Sequence, residues 1–201
     1  GYNNGRSEQI VGKFIRRRRD DWVLATKVYN SMGKGPNNGG LSRKHILQAV
    51  DASLKRLRTD YIDVYYFHKD DIDVPLEESI EAVTHLITAG KVRYWGLSNY
   101  RGWRISLACA IADSMAVPGP VVCQPYYNAM DRTPEQEVLP ACEYHGLGIV
   151  AYSPLARGVL TGKYGTSIDK KGKGTRASMN DPRLMETEWR AESLKIAQEI
   201  K

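Results

Sequence analysis

The chain has 201 residues, a net charge of +6, 42% apolar and 26% charged residues. That is enough for one domain with a substantial core, at the composition of an ordinary globular protein. No stretch approaches the roughly 20 apolar residues of a membrane span, and no apolar run follows a basic start, so neither a spanning helix nor a signal peptide is read. Positive charge suits an anionic ligand. The one dense basic run, Arg16 to Arg19, closes a helix, where cations oppose the negative dipole end, and it reads as a solvated helix terminus. No helix-turn-helix or aromatic-interleaved basic segment supports nucleic acid. Cys109, Cys123 and Cys142 have no CxxC or Cys/His spacing. They read as reduced thiols of a cytoplasmic protein, with no metal site.

In chain order, Ser7 is placed to cap a helix whose apolar residues Ile10, Val11, Phe14 and Ile15 share a face. An apolar run from Trp22 ends at Lys27. After the glycine-rich SMGKGPNNGG comes Ser42 and an amphipathic helix with Ile46, Leu47, Val50, Leu54 and Leu57 as its buried stripe. The run YIDVYYFH (61–68) precedes the helix PLEESIEAVTHLITAG, which has Pro75 at its start and Gly90 at its stop. VRYWGLSN (92–99) leads to a helix near 102–115, and PVVCQPYY (120–127) to one from Thr133 to about Tyr144. LGIVAYSP (147–154) is followed by a Gly/Lys loop and a last helix from about Pro182.

Strand and helix alternate five times, which predicts an α/β fold on a parallel sheet, open or closed into a barrel. No GxGxxG follows a strand, which weakens the open dinucleotide-binding sheet. The strands end in Lys27, His68, Ser98-Asn99, Gln124 and Tyr152-Ser153. In a parallel barrel such ends converge on one face, where chemistry is done. Eight units need roughly 250 residues, so residues 1–201 are expected to be one barrel domain incomplete at both ends: about two units short before Gly1 and one after Lys201.

The ordered set YNNGRSE with Tyr2, VLATK with Lys27, YIDVYYFH with His68, GLSN at 96–99, CQPYYN with Gln124, and AYSPLARGVLTGKY at 151–164 resembles the aldo-keto reductase family over nearly the whole chain. The resemblance implies a (β/α)8 TIM barrel that binds an extended nicotinamide dinucleotide without a Rossmann domain. It implies an NADPH-dependent oxidoreductase that reduces aldehydes or ketones to alcohols.

Tyr2 matches the family's proton donor. A phenol has a pKa near 10 and a nearby ammonium stabilises its phenolate; Lys27 matches the residue that supplies that charge. His68 matches the residue that hydrogen-bonds the carbonyl oxygen. The family's fourth residue, an Asp in a D-x-A-like stretch, would precede Gly1. Ser98, Asn99 and Gln124 match residues that hold the nicotinamide carboxamide, and Tyr152 matches the aromatic stacked on that ring. Ser153, Pro154, Leu155 and Gly158, with Leu160, resemble the loop along the pyrophosphate. Lys163 and Arg176 resemble phosphate-holding cations of one branch. The motif that grips the 2′-phosphate would follow Lys201, so NADP(H) is the family's expectation rather than these residues' own.

Two other readings stand beside the reductase. The runs LSRKHI, ASLKRL, YIDV and YWG are similar to the β subunits of voltage-gated potassium channels, which implies a cofactor-binding regulatory subunit with little turnover; in that branch Asn stands where this chain has His68. From the residues alone, Lys27 at a barrel strand end would also suit a Schiff-base aldolase. Tyr126, Tyr127 and Asn128 follow Gln124 closely enough to line a substrate mouth, and Trp22 and Trp95 read as packing residues.

Overall fold

The computed structural model describes residues Tyr2 to Ile200. They fall into two compact units. One reaches to Pro125 and includes Glu137–Val150; the other comprises Tyr126–Gln136 and the residues from Ala151 onward.

The first unit is built on parallel strands β1 (Ala25–Val28), β2 (Ile62–Phe67), β3 (Val92–Ser98), β4 (Val122–Gln124) and β5 (Gly148–Ile149), side by side in chain order. Parallel neighbours need a crossover. Helices α2 (Arg43–Leu57), α3 (Leu76–Thr88), α4 (Gly102–Ser114) and α5 (Val138–Tyr144) supply the four, and α1 (Arg6–Ile15) precedes β1. The register pairs Lys27 with Tyr66, Val28 with Phe67, Phe67 with Leu97, and Ser98 with Gln124. That register brings the carboxyl ends of the strands to one level, so the residues just beyond them converge.

The core lies between sheet and helices. Trp95, Tyr65, Phe67, Ile46, Ile80 and Ile105 are fully buried. Trp95 meets Phe67 ring to ring at 5.1 Å and donates its indole N–H to the Pro118 carbonyl at 2.8 Å, so its one polar group is satisfied. Trp22, read as a packing residue, sets its edge against Phe14 at 5.6 Å and stands 44% exposed.

Ser42 caps α2, accepting from the His45 N–H at 3.3 Å. Ser7 does not cap α1. The helix begins at Arg6 after Gly5, which takes φ 83. Asn3 (φ 49) and Asn4 (φ 52) are left-handed too, so the turn is built from the residue types that tolerate that region. Arg19 also departs from the solvated reading. Its guanidinium lies over the Tyr61 ring at 3.8 Å and donates to Asp63 Oδ2 at 2.6 Å, while Arg16, Arg17 and Arg18 remain exposed.

The helix expected from Thr133 is split: a 3₁₀ turn at Thr133–Glu135, then α5 from Val138. A continuous helix would have put Pro140 in its interior, where proline lacks the N–H and clashes with the preceding turn; in α5 it falls in the first turn, where it is tolerated. Likewise β4 stops at Gln124 because Pro125 has no N–H for the ladder.

Helix α1 packs closely on α2 at Gly12. A Cβ there would sit 2.3 Å from the Leu57 carbonyl oxygen, a backbone atom that cannot step aside. Gly12→Ala is therefore expected to cost about 1–3 kcal/mol by overpacking, read as a melting temperature lower by several degrees. An unchanged melting temperature would contradict the close approach.

In the second unit, a 3₁₀ turn at Ala156–Thr161 leads through a long loop to α6 (Pro182–Thr187) and α7 (Ala191–Ile200). Asp181 caps α6, accepting from the Leu184 N–H at 3.0 Å. The single last helix expected from Pro182 is thus two. Trp189, at the break, stacks edge-on against Tyr164 at 5.0 Å and donates to the Ile168 carbonyl at 3.2 Å. Tyr164, Leu184, Leu194 and Ala197 are buried in this unit's own small core.

Candidate active site

Tyr2, Lys27 and His68 come together in the first unit, where they line a cavity of about 220 Å³ with Tyr29, Asn30 and Met32 among its other walls. Each arrives by a different route. Lys27 is on β1. His68 is the first residue past β2, and its N–H extends the ladder by donating to the Val28 carbonyl at 2.9 Å. Tyr2 is delivered by the left-handed Asn3-Asn4-Gly5 turn ahead of α1.

The Tyr2 hydroxyl oxygen lies 3.3 Å from His68 Nε2. The Lys27 ammonium lies 5.5 Å from the centre of the Tyr2 ring and 5.3 Å from that of Tyr66, within the range of cation–π attraction. Burial holds the Lys27 ammonium below the ordinary lysine range, because a low-dielectric surrounding disfavours the charged form.

A chain of hydrogen bonds ties the next strand ends to His68. Asn99 donates from Nδ2 to the His68 carbonyl at 2.8 Å and to Ser98 Oγ at 3.1 Å; Ser98 Oγ donates to the Gln124 carbonyl at 2.9 Å. Asn99 takes φ 59, a region Asn tolerates better than most side chains. The structure thus brings Ser98, Asn99 and Gln124 into one network at the rim of the sheet.

The remaining sequence-identified residues belong to the second unit. Tyr152 bridges Tyr126 in parallel fashion, with their rings 5.2 Å apart. Ser153 has φ 53, and after Pro154 and Leu155 the left-handed run continues with Ala156 (φ 45), Arg157 (φ 54) and Gly158 (φ 97). The Leu155 carbonyl accepts from the N–H groups of Gly158 at 2.8 Å and Leu160 at 3.3 Å, which curls the strap tightly. Lys163 lies against Gly158, where a Cβ would come within 3.1 Å of its ammonium. Arg176 is exposed in the loop before the buried Ala177, its carbonyl accepting from the Asp181 N–H at 3.0 Å.

Two asparagines are part of these arrangements and were not assigned such roles from sequence. Asn30 reaches His68 Nδ1 with its amide nitrogen at 3.2 Å. Asn128 is buried. Its Oδ1 accepts from the N–H groups of Met130 (2.9 Å) and Asp131 (3.1 Å), while Nδ2 donates to the Ser153 carbonyl at 3.3 Å. Asn128 therefore braces the strap. Its Asx turn, N-A-M-D, was a readable signal.

Among the described residues, no group of three or more His, Cys, Asp or Glu is placed to hold a metal ion, and no helix is long and apolar enough to cross a membrane.

Comparison with known proteins identifies the family of the chain. The model of the aldo/keto reductase family matches residues 1–201, and the chain belongs to that family. The family's fold is the (β/α)8 barrel, and the five-stranded parallel sheet is an arc of it that does not close.

Among its relatives, the chain is 47% identical over 167 residues to a probable voltage-gated potassium channel subunit beta of Arabidopsis thaliana, covering 81% of this chain and 51% of that protein. It is 43% identical over 182 residues to a putative voltage-gated potassium channel subunit beta of Schizosaccharomyces pombe (88% and 52%). It is 42% identical over 186 residues to the uncharacterized oxidoreductase YrpG of Bacillus subtilis (89% and 56%). The chain spans about half the length of the curated relatives it matches.

Proposed function

We propose that this protein is an oxidoreductase that reduces small aldehydes or ketones to alcohols with NADPH, Tyr2 giving the proton and Lys27 and His68 supporting it. The observation that carries the reading is the Tyr2 hydroxyl 3.3 Å from His68 Nε2 with the Lys27 ammonium over the Tyr2 ring. A carbonyl oxygen that gains negative charge needs a proton donor, a hydrogen-bond donor and a cation close by. These three side chains are that set.

Each unit by itself carries groups of the kinds a nicotinamide dinucleotide takes. In the first unit, the hydroxyl of Ser98 and the amides of Asn99 and Gln124 suit a carboxamide. In the second, the Tyr152 ring suits stacking, and the curled backbone of Ser153, Pro154, Leu155, Gly158 and Leu160, with the cations Lys163 and Arg176, suits a pyrophosphate. When bound, the cofactor supplies the hydride. The chain's residues bind it, orient the carbonyl and deliver the proton. A cytoplasmic location fits three buried free thiols.

Following NADPH consumption against a panel of aldehydes and ketones tests this directly. Saturable turnover of at least one carbonyl is expected, and none across the panel would sink the reductase reading. Tyr152→Ala is expected to weaken NADPH binding by about tenfold, the scale of an aromatic stacking contact. Equal affinity would remove the stacking role.

A second reading is favoured by the names of two relatives: a regulatory subunit that binds cofactor with little turnover, associated with a potassium channel. Retention of His68 beside Tyr2 and Lys27 supports the enzyme over the regulator. Tight NADPH binding without turnover would reverse that preference.

A further inference from the structure

We propose that Asn30 is a positioning residue that holds His68 in the tautomer with its hydrogen on Nε2, and so keeps the Tyr2 hydroxyl proton uncommitted. The inference rests on the proton-donor reading of Tyr2.

A neutral imidazole has one nitrogen that donates and one that accepts, and its neighbours decide which is which. Asn30 Nδ2 lies 3.2 Å from His68 Nδ1. An amide nitrogen only donates, so Nδ1 is the acceptor and the ring hydrogen is on Nε2. Nε2 then donates toward the Tyr2 oxygen, 3.3 Å away, which accepts with a lone pair. The Tyr2 O–H remains available to a carbonyl.

In the opposite tautomer a bare Nε2 would accept that same hydrogen. Tyr2 would then donate to its own neighbour, and His68 would present no N–H to a carbonyl oxygen. Lys27, the cation beside Tyr2, carries donors only and does not compete for the proton.

Two features hold the geometry. Asn99 Nδ2 fixes the His68 backbone through its carbonyl at 2.8 Å. Tyr29, immediately before Asn30, has φ 143, and its carbonyl accepts from the Gly40 N–H at 2.7 Å, which anchors the turn that carries Asn30.

Asn30→Asp inverts the polarity at one point, because a carboxylate only accepts and draws the ring hydrogen to Nδ1. Asn30 is exposed, so the substitution leaves the core untouched. The experiment is a long-range proton–nitrogen spectrum of the protein with nitrogen-15-labelled histidine, taken above the imidazole titration, with His68 assigned by its absence in His68→Gln. The wild type is expected to give the Nε2–H pattern. Asn30→Asp is expected to give the Nδ1–H or doubly protonated pattern, with carbonyl turnover lower by at least about tenfold and NADPH affinity unchanged.

A wild-type spectrum of the Nδ1–H form overturns the proposal, as does an Asn30→Asp spectrum identical to wild type. A changed tautomer with undiminished turnover overturns its functional half. The spectra need neither cofactor nor substrate. Failure of the Tyr2 reading would show separately, as full activity of a Tyr2→Phe protein whose wild-type parent has the expected tautomer.

Discussion

Tyr2→Phe is expected to bind NADPH as the wild type does and to lose carbonyl reduction by about a hundredfold or more, the scale of general acid catalysis. The substitution removes one oxygen and keeps the ring, so contacts that depend on the ring survive: the tilted stacking on His68 at 5.6 Å and the approach of Lys27 at 5.5 Å. Tyr2 is 54% exposed, and no core packing is lost with its hydroxyl. Any loss of rate is then a loss of the hydroxyl's proton rather than of fold. Wild-type turnover in Tyr2→Phe would remove Tyr2 from the mechanism. Equal losses of rate and of cofactor affinity would make it a binding residue instead.

Lys27→Met is expected to abolish reduction on a similar or larger scale while leaving the protein at least as stable at neutral pH. Burial depresses the Lys27 pKa in the folded state. The unfolded chain, with lysine at its usual value of about 10.4, therefore holds the proton more tightly than the folded one. Between the two values the unfolded state binds more protons, so stability rises with pH across that window, and the penalty of the buried ammonium is fully present below it.

Removing the charge lifts that penalty. Methionine, similar in length and flexible, fills the space. Melting temperatures of the variant and wild type are expected to differ most at neutral pH and to converge toward the lysine range. A variant that melts well below wild type at pH 7 would show that Lys27 is held by favourable contacts instead. The pairing of lost activity with retained stability marks a residue kept for chemistry.

Much of this arrangement was legible in the sequence, for identifiable reasons. Strand ends that repeat a polar or aromatic residue, at Lys27, His68, Ser98 and Gln124, suit a parallel register, and the register found in the sheet pairs Ser98 with Gln124 and sets Lys27 opposite Tyr66, two residues before His68. The helix after Ser42 followed from its apolar stripe. The broken α5 was also readable, since Pro140 allows a helix only if it begins close by.

Other features depend on tertiary geometry. Gly5 displaced Ser7 as the start of α1 because Asn3, Asn4 and Gly5 all enter the left-handed region, a joint backbone choice that no single residue announces. Arg19 became an anchor for Tyr61 and Asp63 because β2 brings them alongside, whereas Arg16 to Arg18, identical in type, stay in water. Asn30 is one polar residue in a loop until Val28 pairs with Phe67 and His68 comes opposite. Its meaning lies in a distance, and sequence carries no distances.

The measurement that tests the central claim most directly is a titration of the protein with NADPH, and in parallel with NADH, followed by intrinsic tryptophan fluorescence. Saturable quenching by NADPH is expected, weakened in Tyr152→Ala and retained in Tyr2→Phe. A folded protein whose fluorescence neither nucleotide changes would contradict it.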